Sequence, residues 1–223
     1  MNKQLIIVRG DSGESYTDFS SRILDTVHSC SGKAEICKAT LTCEPPPRGG
    51  FVPYSKEKIA LLTLCGGNGT EEAAEDLAAC AGFTGSFRVE TSLPIEYSRT
   101  WEDREKTPGL GLLTFFRRRK DIGYADFIER WHNGHTPLSL EIHPLWNYVR
   151  NVVKERIRGE EQWFDGIVEE HCRSREDLLK ASRFFGGVLK APGNMIRVYR
   201  DVRRFIDYSS IETFCVEEYW IKS

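Results

Sequence analysis

The chain contains no run of about 18 consecutive apolar residues, the length a helix needs to cross a bilayer, so no membrane partner is expected. It has no excess of one charge either. Lys and Arg number 31 against 33 Asp and Glu, for a formal charge of −2. A nucleic-acid-coating surface needs a concentrated basic face, so no nucleic-acid partner is expected. The one short basic run, Arg117 to Lys120, reads either as a solvated strand-to-helix turn or as an anion-binding lip. There is no Cys-x-x-Cys pair, and the seven cysteines are an odd number. Cys37, Cys43, Cys65 and Cys215 lie in apolar, strand-like runs, where a thiol behaves as a small hydrophobe. That usage predicts free thiols and a cytoplasmic location. The apolar run between Met1 and Arg9 is too short for a secretory leader.

Cofactor signatures are missing too. No His-Glu-x-x-His occurs, and Gly66-Gly67-Asn68-Gly69 lacks the P-loop lysine and the Rossmann spacing. His132 and His135 share a helical face, but three or four converging ligands are needed for a metal and no such group is apparent. No metal and no cofactor are expected.

What is present is a soluble globular mixture, 40% hydrophobic and 29% charged. In 223 residues it can form one large domain or two small ones. Gln4–Arg9 reads as a strand, and Phe19, Ile23, Leu24 and Val27 recur at helical spacing behind a Ser15 cap. Strands follow at Ile36–Cys43 and Ile59–Cys65, separated by the loop Glu44 to Gly50. A helix capped by Thr70 runs to Ala81, and Ser86–Ile95 closes the unit as a strand. The second half repeats the order: a strand at Leu110–Arg117 and a helix from Tyr124 to about Leu140, interrupted at Gly134 and Pro137. Strands at Trp146–Val153 and Phe164–Cys172 follow, then a helix capped by Ser174, a helical stretch Ile196–Arg204 and a last strand Ile211–Ile221. Tyr16-Thr17-Asp18-Phe19 matches Tyr124-Ala125-Asp126-Phe127 at an offset of 108, and the same offset aligns the first strands. The expected fold class is α+β: two tandem ferredoxin-like βαββαβ units, residues 1–97 and 109–223, joined by a linker at 98–108. Each unit leaves one sheet face uncovered, so the two close face to face into an α+β barrel within one chain. A homodimer is compatible with this arrangement and is not required for folding. The barrel interior is the expected binding site, with Asp165 and Glu169 on the strand parity that either lines the lumen or ends in solvent.

From Gly109 to Lys222 the chain resembles the EthD-like family of dimeric α+β barrels. The resemblance rests on Phe115-Phe116, the basic run, Trp131, His135, Pro137 and Leu138, on Tyr148-Val149-Arg150-Asn151, and on Trp163 to Glu169. It rests also on Arg204 to Asp207 and on Val216-Glu217-Glu218. Val27 occupies the position matching His135, so the first half is expected to be catalytically silent. Such a resemblance implies small cyclases, dehydratases and decarboxylases without cofactors, cofactor-free monooxygenases, haem-binding members, or accessory proteins.

The residues themselves suggest acid–base chemistry on a carbonyl compound, which needs a base for an acidic proton and a donor for the developing enolate. His135 is the candidate base and Tyr148 the candidate donor, with Asp165 or Glu169 orienting the imidazole. Phe116, Trp131, Trp146, Glu217 and Tyr219 are expected to contact a small-molecule substrate. Against this, a histidine before a proline can serve only to fix a helix end. The function classes left open are a cofactor-independent lyase, cyclase or isomerase acting on an aromatic or polyketide-type compound, a non-catalytic small-molecule-binding or accessory protein, and a cofactor-free monooxygenase.

Overall fold

The computed structural model describes residues 3–47, 51–159 and 164–223. Arg48, Gly49 and Gly50 of the expected loop, and Trp163 of the family-like motif, lie outside them. The strands are β1 (Lys3–Arg9), β2 (Ile36–Leu41), β3 (Ile59–Cys65), β4 (Phe83–Ile95), β5 (Leu110–Phe116), β6 (Leu145–Gly159), β7 (Gly166–Cys172) and β8 (Glu212–Lys222). They close into an antiparallel barrel in the order β1-β3-β2-β8-β5-β7-β6-β4. Each half of the chain contributes four adjacent strands in the order fourth, first, third, second. The halves join along β2–β8 and β4–β6. Closure leaves no open edge whose backbone groups would need covering.

The strands alternate between two apolar environments. Leu5 and Ile7 of β1 point inward and pack with Ile59, Leu61, Phe87, Phe115 and Phe214. Ile6 and Val8 point outward, under helices α1 (Tyr16–Cys30) and α2 (Thr70–Ala78), against Phe19, Ile23 and Leu77. Leu112, Phe116, Tyr148 and Val168 likewise point outward in the second half, where they meet Phe127, Trp131 and Phe205. Gly166 permits this contact, since a Cβ there would stand 2.4 Å from the Phe116 ring and 2.9 Å from that of Trp131.

Several elements depart from expectation for identifiable reasons. β6 runs beyond Val153 to Gly159, because the exposed run Lys154–Arg158 still pairs with β4. Thr70 does not cap its helix. Gly69 holds that position, and the Thr70 hydroxyl donates back to the Gly66 carbonyl. The helix expected from Tyr124 divides into α3 (Tyr124–Glu129), a π-helical turn (Arg130–His135) and α4 (Thr136–Ile142). Pro137 has no N–H to donate and its ring crowds the carbonyl four residues back. The widened turn relieves this, and the Thr136 N–H reaches the Trp131 carbonyl instead. After α5 (Arg175–Leu179) and α6 (Ala181–Phe184), α7 (Ala191–Val202) begins earlier than its apolar pattern suggests, with Pro192 in the first turn where no N–H is needed. The 98–108 segment runs against β8, with the Thr107 N–H donating to the Glu218 carbonyl at 2.8 Å.

All seven cysteines are free. Burial pushes the thiols of Cys37, Cys43 and Cys215 up to about 12, which leaves almost no thiolate at neutral pH. Thiol titration without reductant is expected to count seven groups in denaturant, with those three reacting slowly in the native state. A denatured count of five would mean that a disulfide forms.

Candidate active site

A cavity of about 200 Å³ lies between the outer face of the second-half sheet and its helices. Phe116, Leu112 and Val168 form its strand wall, and Trp131, Phe184, Val198 and Val202 its helical wall. Seven polar side chains line it: His135, Ser139, His143, Tyr148 and Glu170, with Thr114 and Thr213. The π-helical turn ends at His135, so its ring and the Ser139 hydroxyl on α4 stand one turn apart. The Ser139 Oγ is 3.1 Å from His135 Nε2, and Asp201 Oδ2, from α7, is 2.9 Å from His135 Nδ1. With Asp201 ionised, only Nδ1–H can satisfy its carboxylate, which leaves the Nε2 lone pair to accept from Ser139. The three form a serine–histidine–aspartate chain whose first two members reach the cavity.

Glu170 and Tyr148 are directly paired across β7 and β6, so both side chains leave the same face of the sheet. Among the described residues no cation compensates Glu170, and burial pushes its carboxyl up to about 7. Burial, with Glu170 second, also raises the Tyr148 phenol, which stays protonated and able to donate. His143 donates Nδ1–H to the Phe184 carbonyl at 2.9 Å and stacks on that ring. Burial lowers its pKa to about 4, so it is neutral at pH 7.

The shift at Glu170 has a stability consequence. An unfolded glutamate ionises near 4.5 and the folded one near 7, so between those values the native state holds the extra proton and stability falls as pH rises. Glu170→Gln is expected to match the wild type at pH 4 and to exceed it at pH 8, by on the order of 1 kcal/mol, or about 2–4 °C in Tm. Thermal melts at the two pH values check this, and an equal effect at both would exclude a neutral carboxyl.

The residues expected to converge do not all meet. Phe116, Trp131, His135 and Tyr148 share the outer cavity. Glu169 points the other way, into the lumen, because successive residues of β7 alternate faces. There Lys38 Nζ lies 2.6 Å from Glu169 Oε2 and 3.0 Å from Glu218 Oε2. β2 and β7 are separated by two strands of the wall, so this contact runs through the interior. Asp165 is at a strand end, accepting from the Arg118 N–H at 2.9 Å, and lines neither the outer cavity nor the lumen. Trp146 packs between Tyr97 and Trp101, with ring centroids 4.9 and 5.5 Å away. Glu217 and Tyr219 face outward on β8, hydrogen-bonded to each other at 3.0 Å, with Lys106 3.0 Å from Glu217. Asp201 therefore meets the imidazole in place of the expected Asp165 or Glu169, and the β7 carboxyl in the cavity is Glu170.

No family model and no curated protein matches the sequence. Solved structures do match. A structure of an anthrone oxidase-like protein superposes with a TM-score of 0.62 at 11% identity, covering 100% of this chain and 94% of that one. A "putative monooxygenase" from Fusobacterium nucleatum gives 0.52 at 9% identity, over 99% and 93%. At these identities the likeness is one of fold alone, a closed antiparallel barrel with helices packed on its outside. Among the described residues no helix is long and apolar enough to cross a membrane, and no group of three or more His, Cys, Asp or Glu is placed to hold a metal.

Ser139, Asp201 and Glu170 were not singled out in the sequence. Glu170 had a readable signal: it shares its strand parity with Val168 and Cys172, an apolar face in which a carboxylate is out of place. Asp201 had none, since only packing of α7 against the π-helical turn brings it to His135.

Proposed function

We propose that the protein is a cofactor-independent lyase, cyclase or isomerase that moves protons on an aromatic or polyketide-type carbonyl compound held in the outer cavity. One observation carries this reading: an imidazole anchored by Asp201 and a carboxyl titrating near 7 line the same apolar cavity as a protonated phenol. His135 Nε2 takes the acidic C–H proton, directly or through the Ser139 hydroxyl, and Asp201 stabilises the imidazolium. Tyr148 donates to the oxygen on which enolate charge develops. Glu170, near its own pKa at neutrality, returns a proton to another atom of the substrate. Phe116 and Trp131 supply flat contact surface. Descent from a duplicated ferredoxin-like unit, EthD-like affiliation and a cytoplasmic location belong to the same proposal, supported by the repeated strand order and by the residues of the second half.

A cofactor-free monooxygenase is the second reading, favoured by the superposition on an anthrone oxidase-like structure. Both readings begin with the same deprotonation. The test is therefore exchange of the anthrone methylene protons in D2O under argon, followed by NMR. Protein-dependent exchange supports proton abstraction, and exchange no faster than buffer rejects it. Oxygen consumption on admitting air then separates the oxidative reading from the lyase reading.

A further inference from the structure

The barrel interior has two dissimilar ends. One is filled by Leu5, Ile7, Ile59, Leu61, Phe115, Phe214 and their neighbours. The other opens into a cavity of about 580 Å³ that is separate from the outer one. Its walls are Val89, Thr91 and Leu93 of β4, Asn147 and Val149 of β6, and Thr63 and Cys65 of β3, with Tyr97 and Trp220 completing it. Beneath it lies the Lys38 ion-pair network. Tyr97 donates to Glu218 and accepts from Trp220 Nε1 at 2.7 Å, while Lys3 Nζ bonds Asn151 Oδ1 at 3.1 Å.

We propose that this barrel mouth is a second binding site, for a neutral polyhydroxylated ring compound. Two observations point to the ligand. Thr63 and Asn147 line the cavity and are 3% and 4% exposed, and their Oγ1 and Oδ1 have no hydrogen-bond partner among the described residues. Buried polar groups are normally paired, so two unmatched ones on one cavity wall are positions for ligand hydroxyls. An amide oxygen only accepts, and therefore calls for a ligand O–H, whereas a threonine hydroxyl serves an O–H in either role. Charge disfavours an anion. Lys38 is paired with Glu169 and Glu218, whose charges also reach Lys3, and the lining adds Glu90 and Glu96. Tyr97, Trp220, Val89 and Val149 provide the broad apolar faces that a ring needs, and the volume is within the usual range of about 300–1,000 Å³ for small-molecule sites.

The test is calorimetric titration of the full chain with phloroglucinol (an aromatic triol), myo-inositol (an aliphatic polyol) and benzoate (an anion of similar size). Saturable binding of one of the two polyols is expected, and which of them binds distinguishes an aromatic from an aliphatic ring. Thr63→Val and Asn147→Leu should each weaken that binding about tenfold or more, as loss of a ligand hydrogen bond would. His135→Ala should leave it unchanged, so failure of the outer-cavity chemistry would not touch this result. In case either variant folds poorly, amide shifts in the wild type on adding the bound polyol should centre on Thr63, Tyr97 and Asn147 and spare Ser139. No saturation with either polyol, binding indifferent to both substitutions, or tighter binding of benzoate would overturn the proposal.

Discussion

Replacing His135 by Ala is expected to lower turnover by about 10²–10⁴-fold, the usual worth of one positioned acid–base group. The imidazole is held at both nitrogens, by Asp201 at 2.9 Å and Ser139 at 3.1 Å. Its loss removes the proton acceptor and leaves the apolar walls, so substrate binding should weaken far less than turnover. Asp201→Asn should also be severe, because an amide can donate to Nδ1 and favour the wrong tautomer. Ser139→Ala discriminates further. If the serine relays the proton, turnover falls with it, whereas if Nε2 acts directly, turnover holds. His28→Ala, in the first half, should change nothing. Anthrone exchange or any identified turnover provides the assay. Should His135→Ala keep full activity while losing stability, the residue fixes the helix end and the binding-protein reading moves ahead.

The second large effect is on stability. Lys38→Met is expected to destabilise the fold by about 3–5 kcal/mol, the cost of leaving a buried carboxylate without its counter-charge. Lys38 is 4% exposed, and its ammonium is the cation shared by Glu169 and Glu218. Burial by itself would raise both carboxyls, yet the charges of Lys38 and Lys3 and the hydrogen bonds from Lys38 and Thr40 together outweigh it and hold Glu169 at about 2. Lys38, His171 and Tyr97 together lower Glu218. Thr40 at 2.9 Å and Asn151 at 3.2 Å complete its hydrogen bonds. Since the folded pKa is depressed, the pair's contribution is present above the unfolded value of 4.5 and is lost as pH falls towards 2. Denaturant melts across that window should show wild-type stability falling towards that of the variant. Adding Glu169→Gln to Lys38→Met should recover part of the loss at neutral pH. A loss under 1 kcal/mol would mean that water reaches the network.

Element order and the strand parities were legible because apolar periodicity is a local property. Ile59–Cys65 stands where its apolar run, interrupted only by Thr63, puts it, buried on both faces. The continuation of β6 was not legible, since Lys154 to Arg158 is charged at every position but Ile157 and becomes strand only by pairing with β4. At the site, His135, Tyr148, Phe116 and Trp131 were readable as chemistry-bearing residues of one half. Which side of the barrel wall they occupy was not. That depends on register: Tyr148 pairs with Glu170, and moving one residue along β7 exchanges the outer cavity for the lumen. Lys38 was unreadable as a buried cation because its partners come from β7 and β8, far away in sequence.

The junction between β2 and β8 governs how the molecule can assemble. Strands from opposite ends of the chain must find each other before the ring is complete, and such long-range pairing is slow because the intervening chain must first be ordered. During synthesis the first four strands therefore emerge with β2 unpaired on its outer side. Glu218, which shares Lys38 with Glu169, arrives only with the final strand. A nascent chain halted before Glu212 would expose two strand edges and leave Lys38 with one of its two interior carboxylates. Recognition of such chains by folding chaperones should be concentrated in that interval of elongation.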